Sequence, residues 1–330
     1  MGLTDNAENY LLRNSKAISD FYSKAYTETL DILNNFSKTK ASRKRAAAVL
    51  LQIEGIVKEL DDETKKFIED KIPATYKDFG LATKKDIRKL GAKVDDSFAL
   101  IHTRAVQAIA DDSYLRFARS MQGVINSAED FVSLKIQKEL RETLASGLIK
   151  GEARDKISKE VQEQIEKQGV TAFIDKGGKR WQLNTYSRML SRTVLQQAGN
   201  QGNENVLIEN GFDVVKVSTH GTICPLCIPY EGKYLSLTGQ TKGVTTIEEA
   251  RRNGLFHPNC MHTFSATNPN DYGQAKRQPS PEPLTREQRK ELNQILKDNE
   301  IQGDLRRNLR TEDKRKNFFK AQKEVKKKFN

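Results

Sequence analysis

The sequence predicts a mainly α-helical protein with an extended N-terminal helical region, a small α/β module and a basic helical C-terminal tail. Long stretches of the first half place apolar residues at helical spacing. All three cysteines and three of the four histidines fall within residues 220–262, and residues 276–330 hold 17 Lys/Arg against 9 Asp/Glu. The predicted boundaries are 1–168 for the helical region, 169–268 for the module, 269–284 for a linker and 285–330 for the tail.

The first half carries two clear helical patterns. In residues 5–37, one face collects the apolar side chains Leu11, Ile18, Tyr22, Leu33 and Phe36. Residues 41–70 show the same spacing, and Pro73 and Gly80 are expected to interrupt the chain after this second helix. From residue 83 to about 166 the pattern is again helical, with breaks expected near Gly91, residues 111–113 and residues 147–151.

The module mixes short elements. A turn is expected at Gly177–Gly178, and residues 185–210 predict a helix that Gly211 caps. Residues 214–217 predict a β-branched strand, residues 230–237 a hairpin or extended arm, and residues 245–253 a short helix.

The Cys and His spacing predicts a metal site. Cys224-x-x-Cys227 forms a knuckle-like turn, and a second group of donors, His257, Cys260 and His262, occurs about thirty residues later. Thiolate and imidazole donors at this spacing are typical of a tetrahedral, structural Zn²⁺ site. Such a site can contribute on the order of 10 kcal/mol to folding. The preferred set is Cys224, Cys227, Cys260 and His262, with His257 as the first substitute. One or two histidines, or His220, then have another role. The predicted module is therefore zinc-stapled.

Other interpretations of the same residues stay open. The thiols could be buried small hydrophobes, and Cys260 could form a thiolate–imidazole pair with a neighbouring histidine. A catalytic zinc would need an open position and a general base, and none of Glu231, Glu248 and Glu249 has a spacing that marks it as one. A His-Asn-His nuclease would need a histidine on a hairpin ahead of the metal-binding helix, an order that this chain lacks.

The tail is basic and is preceded by a linker that contains Pro269, Pro279, Pro281 and Pro283, which is expected to be extended and flexible. Thr285 and Gln288 form a capping-box pattern at the start of a helix. The tail cations could bind nucleic-acid phosphates, or they could belong to a solvated charged helix. The candidates are Arg306, Arg307, Arg310, Lys326, Lys327 and Lys328.

Composition narrows the functional class. No apolar run approaches the ~20 residues that span a bilayer, so no membrane partner is expected. The N-terminus lacks the pattern of a secretory signal, which indicates a reducing cytoplasm and favours metal over disulfides for the clustered thiols.

Three stretches resemble a known family. Gly177–Trp181 with Tyr186–Met189 is similar to its approach helix, and Val217–His220 with Cys224–Cys227 and Tyr230–Ser236 is close to its central signature. Phe256–His262 matches its closing His-Pro-Asn-Cys signature, with Met261 in place of the usual Arg. The chain thus resembles the phage minor capsid (minor head) proteins of the Mu F-like head morphogenesis group, over residues 170–266.

This resemblance implies a non-enzymatic virion component of a tailed bacteriophage or prophage, acting in capsid assembly and in DNA packaging or ejection. Implied partners are the portal protein, the major capsid protein, or both, with packaged double-stranded DNA meeting the basic tail. The implied location is the capsid interior or portal vicinity, and the host cytoplasm during assembly. Within the family, Cys and His alternate at the position of His262, which supports that residue as a ligand. The competing class is a zinc-dependent nuclease or virion-carried toxin with a head-targeting module. A pure nucleic-acid-binding zinc module is a third class.

Overall fold

The structure, a computed structural model, describes most of the chain, namely residues 7–94, 97–98, 100–145, 172–174, 180–219, 224–298 and 312–329. The chain divides into two compact units. The first comprises Met1–Glu8, Thr75–Thr103 and Gln196–Asn330, and the second comprises Asn9–Ala74 and Arg104–Leu195. The prediction of a mainly helical protein with a small module of helices and strands is confirmed.

Three long helices come first: α1 (Ala7–Lys38), α2 (Arg43–Lys89) and α3 (Leu100–Ala145). In the second unit they share an interior around Tyr22 of α1, which is fully buried. The Tyr22 ring lies 5.6 Å from that of Phe117, and its hydroxyl bonds Thr64 Oγ1 at 2.9 Å. The predicted stripe of α1 is confirmed, because each of its members is at most 4% exposed: Leu11, Ile18, Tyr22, Leu33 and Phe36.

Three of the expected helix breaks do not occur. Helix α2 continues through both Pro73 and Gly80. Burial of Ile72, Tyr76 and Phe79 offsets the roughly 3 kcal/mol that an interior proline costs. Helix α3 continues through residues 111–113, where Ser113 Oγ donates to the Ile109 carbonyl at 2.6 Å. The break at Gly91 is confirmed, with φ 91° just after α2 ends. Residues 147–151 lie outside the described residues.

A short hairpin and a fourth long helix come next. Strands β1 (Ala172–Ile174) and β2 (Arg180–Gln182) pair antiparallel, and the turn expected at Gly177–Gly178 lies outside the described residues. Helix α4 (Leu183–Glu209) ends before Gly211, whose φ of 75° confirms the predicted cap.

In the first unit, α4 approaches α2 at two glycines. A Cβ added at Gly202 would lie 2.3 Å from the Tyr76 carbonyl oxygen, and one at Gly199 would lie 2.8 Å from the Phe79 ring. A chain of hydrogen bonds also connects the buried Tyr76 and His102 to the exposed Glu209 of α4: Tyr76 Oη bonds His102 Nδ1 at 2.8 Å, and His102 Nε2 bonds Glu209 Oε2 at 2.8 Å. Glycine is therefore required at Gly202 by backbone contact.

The module is built on a three-stranded antiparallel sheet. Strand β3 (Val214–Val217) lies between β4 (Tyr234–Ser236) and β5 (Phe264–Ala266). Helix α5 (Ile247–Arg252) is capped by Thr246, whose hydroxyl accepts from the Glu249 N–H, and the chain turns at Gly254. Together they enclose an apolar core that includes Val215, Leu235, Ile247 and Phe264.

Part of the segment expected to be an extended linker is folded. A 3₁₀ turn (Pro269–Asp271) leads into α6 (Tyr272–Arg277), and Ala275 packs against Val214 and Val244. Gln278 bonds both the N–H and the carbonyl of Tyr234 on β4, at 2.9 and 2.5 Å. Because an edge strand offers unpaired backbone groups, this side chain closes the sheet edge.

The tail forms two helices, α7 (Arg286–Asp298) and α8 (Glu312–Phe329). The capping box is confirmed by reciprocal bonds between Thr285 and Gln288, at 2.8 and 3.2 Å. Apolar residues of both helices are buried together with Leu284 and with Ile228 of the module, the tail members being Leu292, Ile295, Ala321 and Val325. Phe319 of α8 is exposed instead.

One carboxylate organises the chain between β4 and α5. Asp213 is 8% exposed and accepts bonds from the hydroxyls of Ser236, Thr238 and Thr241 and from the N–H groups of Thr238 and Thr241, at 2.5 to 3.1 Å. Although burial acts to raise its pKa, the hydrogen bonds from Thr238, Thr241 and Ser236 hold the pKa of Asp213 at about 2.

We expect Asp213→Asn to lower the free energy of unfolding by about 2 kcal/mol at pH 7, because the amide accepts fewer bonds and faces five donors. A pKa lowered on folding contributes stability that is lost as pH falls through about 4 to 2, so the difference from wild type should shrink toward pH 2. Urea unfolding of both proteins measures it, with the exposed Glu282→Gln as control. Equal urea midpoints for the two variants at pH 7 would contradict this role.

Candidate metal centre

Two turns with the same backbone hydrogen bond present the cysteine and histidine donors. In the first turn, the Cys227 N–H donates to the Cys224 carbonyl at 3.1 Å, and in the second, the Cys260 N–H donates to the His257 carbonyl at 2.9 Å. Two residues separate the donors in each turn, so both side chains of a pair lie on the same side. Asn259 adopts φ 66°, which asparagine tolerates better than most residues.

The sheet brings the two turns together. Strand β3 precedes the Cys224 turn and pairs antiparallel with β5, which begins two residues after His262. Beyond the ladder, the Ser218 N–H donates to the Thr263 carbonyl, and Ser218 Oγ accepts from the Thr263 N–H, both at 2.9 Å. His220 lies outside the described residues. The Cys224 turn and the His257 turn, more than thirty positions apart in sequence, thereby lie at the same end of β3.

All five predicted donors converge in two overlapping groups. In each group the donor atoms lie within 4.8 Å of one another: Cys224, Cys227 and His257 form one, and Cys227, Cys260 and His262 form the other. The Sγ atoms of Cys227 and Cys260 are 3.7 Å apart, close to the edge of about 3.8 Å that two Zn–S bonds of about 2.3 Å subtend in a tetrahedron. Cys227 belongs to both groups, so it lies between the two histidines.

Each histidine directs one ring nitrogen at a thiol and the other at an oxygen. His257 Nε2 lies 3.1 Å from Cys224 Sγ, and its Nδ1–H donates to the Pro258 carbonyl at 2.8 Å. His262 Nδ1 lies 3.3 Å from Cys260 Sγ, and its Nε2–H donates to Glu231 Oε1 at 2.9 Å. Metal-binding histidines are oriented in this way, with the distal N–H held by a carbonyl or carboxylate.

Glu231 is the residue whose role sequence reasoning missed. Its side chain is only 6% exposed and pairs with the almost fully buried His262. The backbone places it there: the Glu231 N–H donates to the Cys227 carbonyl, and Gly232 comes next with φ 70°. The sequence places Glu231 within the predicted hairpin or extended arm of residues 230–237, but the pairing with His262 depends on the fold of the turn.

Helix α4 fixes the backbone at His262. Gln196 Nε2 and Asn200 Nδ2, one turn apart, both donate to the His262 carbonyl, at 2.9 and 3.2 Å. Both amides are buried, so these bonds are made without competition from water. The imidazole is therefore held from both the backbone and Glu231.

The thiols and imidazoles of the cluster shift one another's pKa values. Hydrogen bonds with Cys227 and His257 lower the pKa of Cys224 to about 4, and bonds with Cys227 and His262 lower the pKa of Cys260. Cys227 lies between these two thiolates, which raise its pKa. Burial opposes ionisation of both histidines, but the thiolates raise the pKa values of His257 and His262 to about 9, with Glu231 contributing at His262.

This donor set fits a divalent metal that prefers thiolate and imidazole ligands. Three sulfurs and two imidazole nitrogens are present, whereas a tetrahedral site takes four ligands. Three cysteines and one histidine would supply four ligands, while the structure brings the donor atoms within 4.8 Å of one another in two groups of three. The remaining histidine would then lie beside the site as a hydrogen-bonding neighbour.

The tail cations are only partly described. Lys326, Lys327 and Lys328 lie in α8, where Lys328 pairs with Glu291 of α7 and Lys327 is exposed. Arg306, Arg307 and Arg310 lie outside the described residues. Within the described residues, no helix is long and apolar enough to cross a membrane.

We expect the affinity for Zn²⁺ to rise by about tenfold per pH unit for each proton displaced, up to about pH 9. The reason is that an incoming ion must remove the proton of the ligating histidine, whose pKa is about 9, and that of Cys227. Competition with a chromophoric chelator between pH 6 and 9 measures this slope. An affinity independent of pH over this range would contradict coordination by these groups.

Comparison with known proteins identifies the family. A family model described as Phage minor capsid protein 2 matches residues 6–328. The match includes the N-terminal helices and the tail, and so extends well beyond the residues 170–266 that carry the sequence resemblance. No curated protein and no solved structure matches the chain. The resemblance to phage minor capsid proteins is confirmed, and the chain belongs to the phage minor capsid protein 2 family.

Proposed function

We propose that this chain is a non-enzymatic minor capsid protein of a tailed phage or prophage, which acts in capsid assembly and in DNA packaging or ejection near the portal. The observation that carries the proposal is the family match over nearly the whole chain. Its partners would be the portal protein, the major capsid protein, or both, and packaged double-stranded DNA through the basic tail. Its place is the virion, in the capsid interior or the portal vicinity.

A structural Zn²⁺ is part of the proposal. The sheet has strands of only three or four residues, shorter than most strands in globular proteins. An ion held by both turns would join the start of the module to its end and add on the order of 10 kcal/mol to its stability. The convergence of five donors supports this role.

Catalysis by the same centre is the alternative, as a zinc-dependent nuclease or a virion-carried toxin. A general base must reach the open position of the metal. Glu231, the carboxylate bonded to the cluster, instead bonds the ring nitrogen of His262 that faces away from the thiols. That arrangement orients a ligand and supports the structural role.

For the ligand set, we propose the three cysteines with one histidine. The equivalent turns at Cys224–Cys227 and His257–Cys260 favour His257, whereas the burial of His262 and its bond to Glu231 favour His262. The sequence-based preference for His262 with His257 as substitute remains a prediction.

Metal analysis of purified protein tests the structural centre. We expect about one zinc per chain, and we expect Cys224→Ser to lose it, because one of three thiolates is removed. Loss of protection from amide exchange in residues 214–266, with α1–α3 unchanged, would show that the ion stabilises the module. His220→Ala, outside the proposed set, is the control. A fully folded, metal-free wild-type protein would contradict the proposal.

Single histidine variants identify the fourth ligand. The variant that removes the ligand, His257→Ala or His262→Ala, should lower zinc affinity by at least 10- to 100-fold and change the visible absorption of the Co²⁺-loaded protein. Glu231→Gln should weaken binding measurably only if His262 is the ligand, since it acts through that ring. Equal, small effects of all three variants would indicate that neither histidine binds the ion.

A further inference from the structure

The turn between α1 and α2 carries an unusual concentration of positive charge. Five cations occupy eight positions, and all five are exposed: Lys38, Lys40, Arg43, Lys44 and Arg45. Residues 32–53 contain no Asp or Glu, so this stretch has no local compensation. We call these five residues the basic tip.

The positive charges of the basic tip are not neutralised by carboxylates within the described part of the chain. None of the five side chains forms an ion pair with a carboxylate there, although pairs of this type occur elsewhere along α1 and α2, as in Lys16–Asp20 and Lys65–Asp61. Arg45 Nη1 donates instead to the Lys40 carbonyl at 2.8 Å. Mutual repulsion among the five therefore opposes folding.

The position of three of these cations is also unfavourable for the helix. Arg43, Lys44 and Arg45 form the first turn of α2, and this turn contains no acidic residue. A helix N-terminus carries partial positive charge and favours carboxylates there. The arrangement is destabilising in the isolated protein, and an external anion would reverse this effect, because it would be attracted by the cations and by the helix N-terminus alike.

The backbone beneath the basic tip is held in place. The buried ammonium of Lys135, on α3, donates to the carbonyls of Phe36, Ser37 and Thr39, at the end of α1 and just beyond it. Ser42 Oγ accepts from the Arg45 N–H at 3.3 Å and caps α2. The five cations therefore extend from a fixed turn, so little backbone ordering is needed on binding.

We propose that the basic tip binds the phosphate backbone of double-stranded DNA, as a second contact independent of the tail. The proposal rests on the proposed function, in which the protein meets packaged DNA. Residues 38–48 expose no large apolar side chain, whereas protein interfaces are built around apolar anchors. Regularly spaced phosphates are matched by clustered cations without regard to base sequence. Leu51, 67% exposed and farther along α2, is the nearest apolar candidate for a protein contact.

The test compares charge-matched variants of the full-length protein on a short random-sequence duplex, by fluorescence anisotropy over a range of salt. The tip variant is Lys40→Ala/Arg43→Ala/Lys44→Ala, and the control is Lys16→Ala/Lys58→Ala/Lys66→Ala, exposed residues of the same helices. We expect only the tip variant to lose affinity, by up to about tenfold per contact near 0.1 M salt, with the log–log salt slope reduced by about 0.9 per contact. The tip variant should melt at the same or a higher temperature than wild type, because the substitutions remove positive charge from the N-terminus of α2.

A tail variant, Arg306→Ala/Arg307→Ala/Arg310→Ala, separates the two DNA contacts. If it weakens binding and the tip variant does not, the basic tip is excluded and the tail contact stands. The reverse result supports the basic tip and removes the tail contact. If the tip variant and the control variant lost the same affinity for the duplex, the effect would be due to net charge alone, which would overturn the proposal. Wild-type protein that does not bind the duplex would overturn both contacts.

An acidic protein surface is the remaining partner class. In that case the tip variant would bind the duplex as wild type does, but would lose binding to purified portal or major capsid protein, as would Leu51→Ala. This outcome would overturn the assignment to DNA.

Discussion

The pairing of β3 with β5 is the constraint on which the candidate metal centre depends. It brings a turn that comes after the central strand against a turn that precedes the edge strand, and so places Cys227 and Cys260 at a separation of 3.7 Å. Thiolates in one small volume repel one another unless protons or a cation neutralise them. The same groups could therefore hold a metal ion, which would connect the two turns and hold the strands in register.

The module also relies on polar side chains that supplement its apolar core. Asp213 collects the donors of the chain after β4, Gln278 closes an edge of the sheet, and Gln196 and Asn200 hold the His262 carbonyl. Each interaction satisfies backbone groups that short strands leave unpaired. A small sheet with many such bonds can carry a rigid site on limited hydrophobic area.

Charge in this protein has two distinct distributions. Along most of α1 and α2, lysines alternate with carboxylates at helical spacing and form pairs such as Lys24–Glu28, which have little net effect on stability. At the basic tip no carboxylate of the described residues forms an ion pair, and the N-terminus of α2, whose first turn lacks acidic residues, adds positive charge. The cations of the basic tip destabilise the folded protein and form no compensating ion pair within the described residues. This imbalance indicates an external anionic partner.

The sequence alone determined the helical class, the five candidate donors and the caps of several helices. Helical periodicity, Cys-x-x-Cys spacing and local signals such as Gly211 and Thr285–Gln288 act within a few residues, so they can be recognised without a fold. Tertiary structure decided that α2 passes through Pro73, because buried neighbours outweigh a local penalty. It also decided that Glu231 orients His262 and that Lys135 supports the basic tip. Such contacts join residues up to about a hundred positions apart, and packing, rather than any local pattern, brings them together.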